Sequence, residues 1–287
     1  MGIATSKHRL GIVPYSNVAP LLEGLGEHYP DTTWVRATPR RLAELMQSNE
    51  IDIATLPIIE ILRHDGYQII PGCSISCDGP VRSVQLFSNV DVPSIRHILL
   101  DRSSLTSIHL ARILISDQMH ISPEYTLSDK PVSKSFDLAG SPYDAVVAIG
   151  DVALDWHDKG RFPHAVDLGE AWHDLTGLPF VFAAWIARPG VNVHPGDIMA
   201  FINARRAGQG QIYQIAKRLG GDDPAAQTKY VDYLSRAIHY KLTERHVTAI
   251  AEFRRRLLAH GLVSEGTGRY TLLERPPDSR SVQLPAG

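Results

Sequence analysis

Short apolar runs alternate along most of the chain with segments whose apolar positions recur every third or fourth residue. Arg9 to Val13 is the first such run and predicts a buried strand. Pro14, Tyr15, Ser16 and Asn17 turn the chain, and Val18, Leu21, Leu22 and Leu25 follow at helical spacing. Trp34 and Val35 predict a second strand. Thr38 caps a helix with Pro39 in its first turn and Leu42, Leu45 and Met46 on one face. Ile51, Ile53 and Leu56 make a third strand, and Pro57 to Leu62 open another helix. Alternation of this kind predicts a parallel sheet with right-handed crossovers.

The pattern changes at Tyr67. From there to Ser88, strand-like pieces are broken by Pro71, Gly72, Gly79 and Pro80, as expected where a chain passes from one lobe to another. The second lobe begins near Val84, in the alternating run SVQLFS, and continues with strands at Ile98 to Leu100 and Ala145 to Ile149. The latter delivers Gly150 and Asp151 into a helix start. A helix around Gly169 to Leu175 is stopped by Gly177 and Pro179. FVFAAWIA, Phe180 to Ala187, is a continuous apolar strand placed where a return crossing belongs. Ile198 to Leu219, Ala225 to Tyr240 and Thr243 to His260 read as helical, and the tail after Glu274 as loose. The expected fold class is α/β with two lobes, each a mainly parallel sheet flanked by helices. Residues 1–83 with 186–287 form lobe I and 84–185 form lobe II, with the ligand cleft between them.

One stretch, LLDRSSLTSIHLARILI from Leu99 to Ile115, stands out as a strand, a polar loop and a helix in succession. A helix start leaves free N–H groups with partial positive charge, so this junction can seat an anion. Ser103, Ser104, Thr106 and Ser107 crowd more hydroxyls there than a cap needs. Arg102 is the only fixed charge, which favours a small anion such as a carboxylate over a triphosphate. The turn at Tyr15 to Asn17 repeats the device in the other lobe.

Composition narrows the function. Hydrophobic residues make up 44% and charged residues 21%, the balance of a soluble globular protein. A net charge of −2 supplies no basic field for nucleic acid or lipid. The first residues lack an apolar core of signal-peptide length, and no window approaches the roughly 20 apolar residues that span a bilayer. A cytoplasmic location is expected. Cys73 and Cys77 read as buried thiols, and the 13 His residues are scattered without ligand spacing, so no metal is expected. Arg254, Arg255 and Arg256 fan around a helix and read as solvated or helix-end charges.

Five blocks, LGIVPYSNVAPL, SCDGPVRSVQLFS, LLDRSSLTSIHLARILI, AIGDVAL and DLGEAWHDLTGLPFVFAAW, resemble in order those of the chorismate dehydratase family of the futalosine route to menaquinone. The resemblance implies a type II periplasmic-binding-protein fold used as a cytosolic enzyme. It implies removal of water from chorismate, giving 3-[(1-carboxyvinyl)oxy]benzoate, without cofactor or metal. Chorismate is then the small-molecule partner, and a homodimer is left open.

That reaction removes the proton at C3 and the hydroxyl at C4, and pushes charge onto the ring carboxylate as it proceeds. Donors fixed around those oxygens stabilise the transition state more than the ground state. The helix start at Ser104, Leu105, Thr106 and Ser107 suits this. Tyr15 and Ser16 are expected to line the cleft, Tyr15 as a stacking wall. Arg82 and Ser83 lie at the crossing, where Arg82 could fork onto a carboxylate or form an interdomain ion pair. Gly150 and Asp151 lie at the other helix start, Asp151 as an acid, a base or a helix cap. The resemblance offers a different base, the substrate's own enolpyruvyl carboxylate, with Asn17 positioning it. The alternatives are a non-catalytic small-carboxylate binding protein of the same fold, and the related 1,4-dihydroxy-6-naphthoate synthase.

Overall fold

A computed structural model describes residues 8–277. The chain begins with β1 (Leu10–Ile12), a 3-10 turn at Ser16–Leu21, α1 (Leu25–His28), β2 (Trp34–Arg36), α2 (Pro39–Gln47), β3 (Ile53–Pro57) and α3 (Ile58–Arg63). Thr38 caps α2, its hydroxyl accepting from the Arg41 N–H. The long strand β4 (Gln68–Cys77) leads to the first crossing, and β5 (Val84–Ser88) opens the second sheet. There follow β6 (His97–Leu100), α4 (Thr106–Asp117), β7 (Glu124–Leu127), β8 (Ala145–Ile149), α5 (Gly150–Asp158), β9 (His164–Asp167) and α6 (Leu168–Thr176). The chain returns through β10 (Phe180–Ala187) and ends in α7 (Pro195–Gly210), α8 (Ile212–Gly220), α9 (Pro224–Asp232), a π-helical turn at Tyr233–Ala237, α10 (Glu244–Ala259) and β11 (Thr271–Leu272).

The first sheet has the order β11-β4-β10-β3-β1-β2 and the second β7-β6-β8-β5-β9. Each keeps a parallel part and receives one antiparallel strand. β10 enters between β3 and β4, and β5 enters between β8 and β9. Both are strands that have just come across from the other sheet, so they arrive running the opposite way. The sheets are therefore mixed but mainly parallel, as the alternation of strand and helix predicted. All of Phe180–Ala187 belongs to the first sheet, with Phe180 paired to Cys77, so the return crossing ends before Phe180 and not after Trp185.

Other departures are local. β7 was not anticipated, because its exposed edge position leaves no apolar run to read. The stretch from Ile198 to Leu219 is two helices separated at Gln211. That from Ala225 to Tyr240 ends in the π turn and then extends to pair His239 with Ser76. Cys73 and Cys77 are buried free thiols, as expected. Arg254 ties α10 to the Gly268 and Thr267 carbonyls, Arg255 pairs with Glu252, and Arg256 spans Glu252 and Asp117. The expected loose tail after Glu274 lies largely outside the described residues.

The two crossings are bound together by Asp167. Its carboxylate accepts from the N–H groups of Val81 and Arg82 in the first crossing and of Gly169 and Glu170 at the start of α6. Gly169 permits this closeness, since a Cβ there would stand 2.6 Å from the Cys77 sulfur and 2.7 Å from the Gly79 carbonyl oxygen. Asp167→Ala should cost about 2 kcal/mol, the upper end for a lost cap, because it also strands the two N–H groups of the crossing. The shift in the urea unfolding midpoint measures it.

Candidate functional site

A cleft between the sheets, with about 560 Å³ of empty space counting its open mouth, is lined by the carboxyl ends of strands and by helix starts. Val13, Tyr15 and Asn17 come from the turn after β1. Ser104 to Ser107 come from the start of α4, and Ile149 and Gly150 from the junction of β8 with α5. The walls are mostly apolar, with Pro57, Ile75, Val84, Phe182 and Ile238 among them, and no charged side chain lines them.

The start of α4 is held from three directions. Asp101 accepts from the N–H and hydroxyl of Ser103 at 2.9 and 2.8 Å, which folds the loop into an Asx turn. His109 donates from Nδ1 to the Leu105 carbonyl at 2.8 Å and accepts from Arg63 at 3.1 Å. The Thr106 hydroxyl donates to the Phe182 carbonyl of β10 at 3.0 Å and accepts from the Ile59 N–H at 3.4 Å. Leu105 occupies the capping position and supplies no side-chain cap. Among the described residues, the N–H groups of Thr106, Ser107 and Ile108 and the hydroxyls of Ser104 and Ser107 have no protein partner. Ser104, Thr106 and Ser107 line the cleft at this helix start, and a helix start with free donors is a seat for an anion.

The opposite wall supplies an acceptor. Asn17 lines the cleft, and its Oδ1 is buried without a partner among the described residues. Ser83, 1% exposed, accepts from the Tyr233 hydroxyl at 2.8 Å through its side chain and from the Gly150 N–H at 2.8 Å through its carbonyl. The Tyr15 ring lies against Gly150, where an added Cβ would stand 2.6 Å from it, and Gly150 has φ +63°. Burial pushes the Tyr15 phenol up to about 12, with a hydrogen bond to Ser103 opposing it.

Three expected site residues, Ser16, Asp151 and Arg82, stand outside the cleft lining. Both Asp151 oxygens accept from Ser16, one from the N–H at 3.1 Å and the other from the hydroxyl. The pair clasps the two sheets together, and Asp151 faces the outer gap between α5 and α9. Ile149, not Asp151, occupies the cap position of α5. Arg82 pairs with Asp232 of α9 at 2.7 Å and is absent from the cleft lining, which is the interdomain ion pair of the two readings. Thr55, Tyr233, Phe182 and Ile238 escaped sequence reading. Phe182 contributes a backbone carbonyl and Ile238 an apolar contact, neither of which leaves a signature in residue type. Among the described residues no group of His, Cys, Asp and Glu could hold a metal ion, and no helix is long and apolar enough to cross a membrane.

Two sheets, paired crossings and a cleft at the strand ends define a two-lobed fold of the periplasmic-binding-protein kind. Solved structures share it. A Candida albicans protein described as having the generic periplasmic binding protein fold has a TM-score of 0.66 at 12% identity, covering 95% of this chain and 99% of that one. The periplasmic aliphatic sulphonate binding protein of Escherichia coli has a TM-score of 0.58 at 14% identity, covering 92% and 95%. The chain belongs to the menaquinone biosynthesis family, whose pattern matches residues 8–259. A chorismate dehydratase of Thermus thermophilus is 30% identical over 236 residues, which is 74% of this chain and 82% of that protein.

Two outcomes follow from the geometry. Gly150→Ala should lose about 1–2 kcal/mol from the left-handed backbone alone, read by urea unfolding. Its Cβ would also push Tyr15 out of the cleft. Burial lowers the His109 pKa to about 4 from 6.5. The folded state therefore holds neutral imidazole, and the stability this supplies is complete above pH 6.5 and is lost as pH falls through 4. His246 is lowered to about 4 in the same direction, so His109→Gln should flatten part of the acid limb of a thermal-midpoint profile.

Proposed function

We propose that this chain is a chorismate dehydratase, removing water from chorismate to give 3-[(1-carboxyvinyl)oxy]benzoate. The observation that carries the reading is the cluster of unpaired donors at the start of α4, in a cleft that Asn17 also lines and whose walls carry no charge. Membership of the menaquinone biosynthesis family and the dehydratase relative support it.

In this reading the ring carboxylate sits on the Thr106, Ser107 and Ile108 N–H groups with the Ser104 and Ser107 hydroxyls. As the C3 proton leaves, its electron pair moves through the conjugated ring toward that carboxylate, and the donors bind the growing charge more strongly. The C4–O bond then breaks, the hydroxyl leaves as water after taking a proton, and the ring becomes aromatic. The substrate's enolpyruvyl carboxylate accepts the C3 proton, held within reach by the closed cleft. Asn17 positions the ligand, since an amide is no base near neutral pH. Asp151 acts with Ser16 as a clasp, and Arg82 with Asp232 steadies the crossing. Thr106 acts by fastening α4 to the first sheet. We take the lobes as residues 8–77 with 180–277 and residues 84–167, joined by the two crossings, and the protein as cytoplasmic.

Incubation of the full chain with chorismate and EDTA should remove the diene absorbance and give a product lighter by one water. Unchanged chorismate in the presence of folded protein overturns the reading, and a product of different mass assigns another reaction. Ser107→Ala should lower kcat by roughly 100-fold, as loss of a fixed donor does elsewhere, with the thermal midpoint unmoved. Asn17→Ala should lower it by at least about tenfold.

A further inference from the structure

The helices of the second sheet meet the rest of the chain along two unlike seams. Along α4 the ties are buried or part-buried and come from several elements. Thr106 reaches the Phe182 carbonyl and the Ile59 N–H, His109 accepts from Arg63 at 3.1 Å, and Asp117 pairs with Arg256 and His260, each at 2.6 Å. Along α5, whose start also lines the cleft, the ties are thinner. Ser16 donates to Asp151, the Tyr15 ring rests on Gly150, and farther out Lys229 of α9 pairs with Asp158 at 3.5 Å. None of the nine residues of α9 is buried, so the helix adds nothing to the core. It faces α5 across an outer gap lined by Asp151, Asp155 and Asp158 on one side and Asp223 and Lys229 on the other. Asp155 already holds Lys134 and Lys159, and Asp223 caps α9. Lys229 is the cation that α9 brings into this gap, among the described residues that line it.

We propose that Lys229 is a positioning residue that acts from outside the cleft. Its ion pair with Asp158 draws α5 toward α9, which keeps Asp151 on Ser16 and Gly150 against Tyr15. The cleft then opens at α5 while α4 stays docked. Parting the α4 seam would strand buried donors and acceptors such as Thr106 and the Phe182 carbonyl. Parting the α5 seam wets groups already near water, since the Lys229 side chain is 58% exposed, and so costs far less. Any ligand that needs the closed cleft loses affinity in proportion to the time spent open. The inference goes beyond the dehydratase reading and stands whether or not chorismate is the ligand.

Two backbone amides report the two seams in the full chain. The Ser16 N–H meets Asp151 across the α5 side, and the Ile59 N–H meets Thr106 across the α4 side. Their hydrogen exchange is measured in about 0.01 M and about 1 M sodium chloride, between which screening shortens from roughly 30 to 3 Å. At low salt, Lys229→Met should raise the ratio of Ser16 to Ile59 exchange by about two- to fivefold, the range for one part-exposed ion pair. At high salt the variant and the unsubstituted protein should agree. Lys229→Asp should raise the ratio further, and Lys229→Asp combined with Asp158→Lys should restore it. A loss of general stability would speed both amides alike. A ratio that Lys229→Met leaves unchanged at low salt overturns the proposal. So does a rise that salt fails to erase, a rise shared by both amides, or a charge swap that does not restore the ratio. The expected pattern in a protein that leaves chorismate unchanged sinks the dehydratase reading and keeps this one.

Discussion

Unpaired backbone N–H groups inside a largely apolar cleft are costly, and the rest of the architecture is arranged around keeping three of them unpaired. A buried donor without an acceptor loses its hydration and gains nothing. Here the first turn of α4 cannot collapse onto a substitute acceptor, because its approach is locked. Asp101 is committed to Ser103, His109 holds the Leu105 carbonyl, and Thr106 is tied to Phe182 and Ile59. The donors are therefore fixed in place before any ligand arrives.

The cleft exists because each sheet contains a strand delivered by the other. β5 and β10 are inserted antiparallel into sheets whose other neighbours run parallel, so neither sheet is complete without the chain crossing twice. Asp167 gathers both crossings at one carboxylate. Contacts across the cleft are of another kind. Ser16 on Asp151, the Tyr15 ring on Gly150, and the Gly150 N–H on the Ser83 carbonyl all lie at the strand ends, outside either sheet's ladder. Both oxygens of Asp151 are occupied by Ser16 in this arrangement.

Much of this was legible from local pattern. Strand, turn and helix at Leu10 to Leu25 and at Leu99 to Ile115 have periodicities that change from continuous to helical at the observed places, and a helix start after a strand end is an anion seat whatever surrounds it. The Gly150 junction and the Asn17 turn were readable for the same reason. The partners of Arg82 and Asp151 were not legible, because a charged residue near a cleft has two available, a ligand or the opposite lobe, and the sequence does not contain the distance that decides.

By itself, then, the sequence determined the succession of elements, the apolar strands that had to be buried, and the donors at the head of one helix, since all of these follow from residue type and spacing along a few turns of chain. Tertiary structure alone decided which groups face them. Tyr233 meets Ser83 across 150 residues, and Thr106 meets Phe182 across 76. Only folding brings such pairs within hydrogen-bond reach.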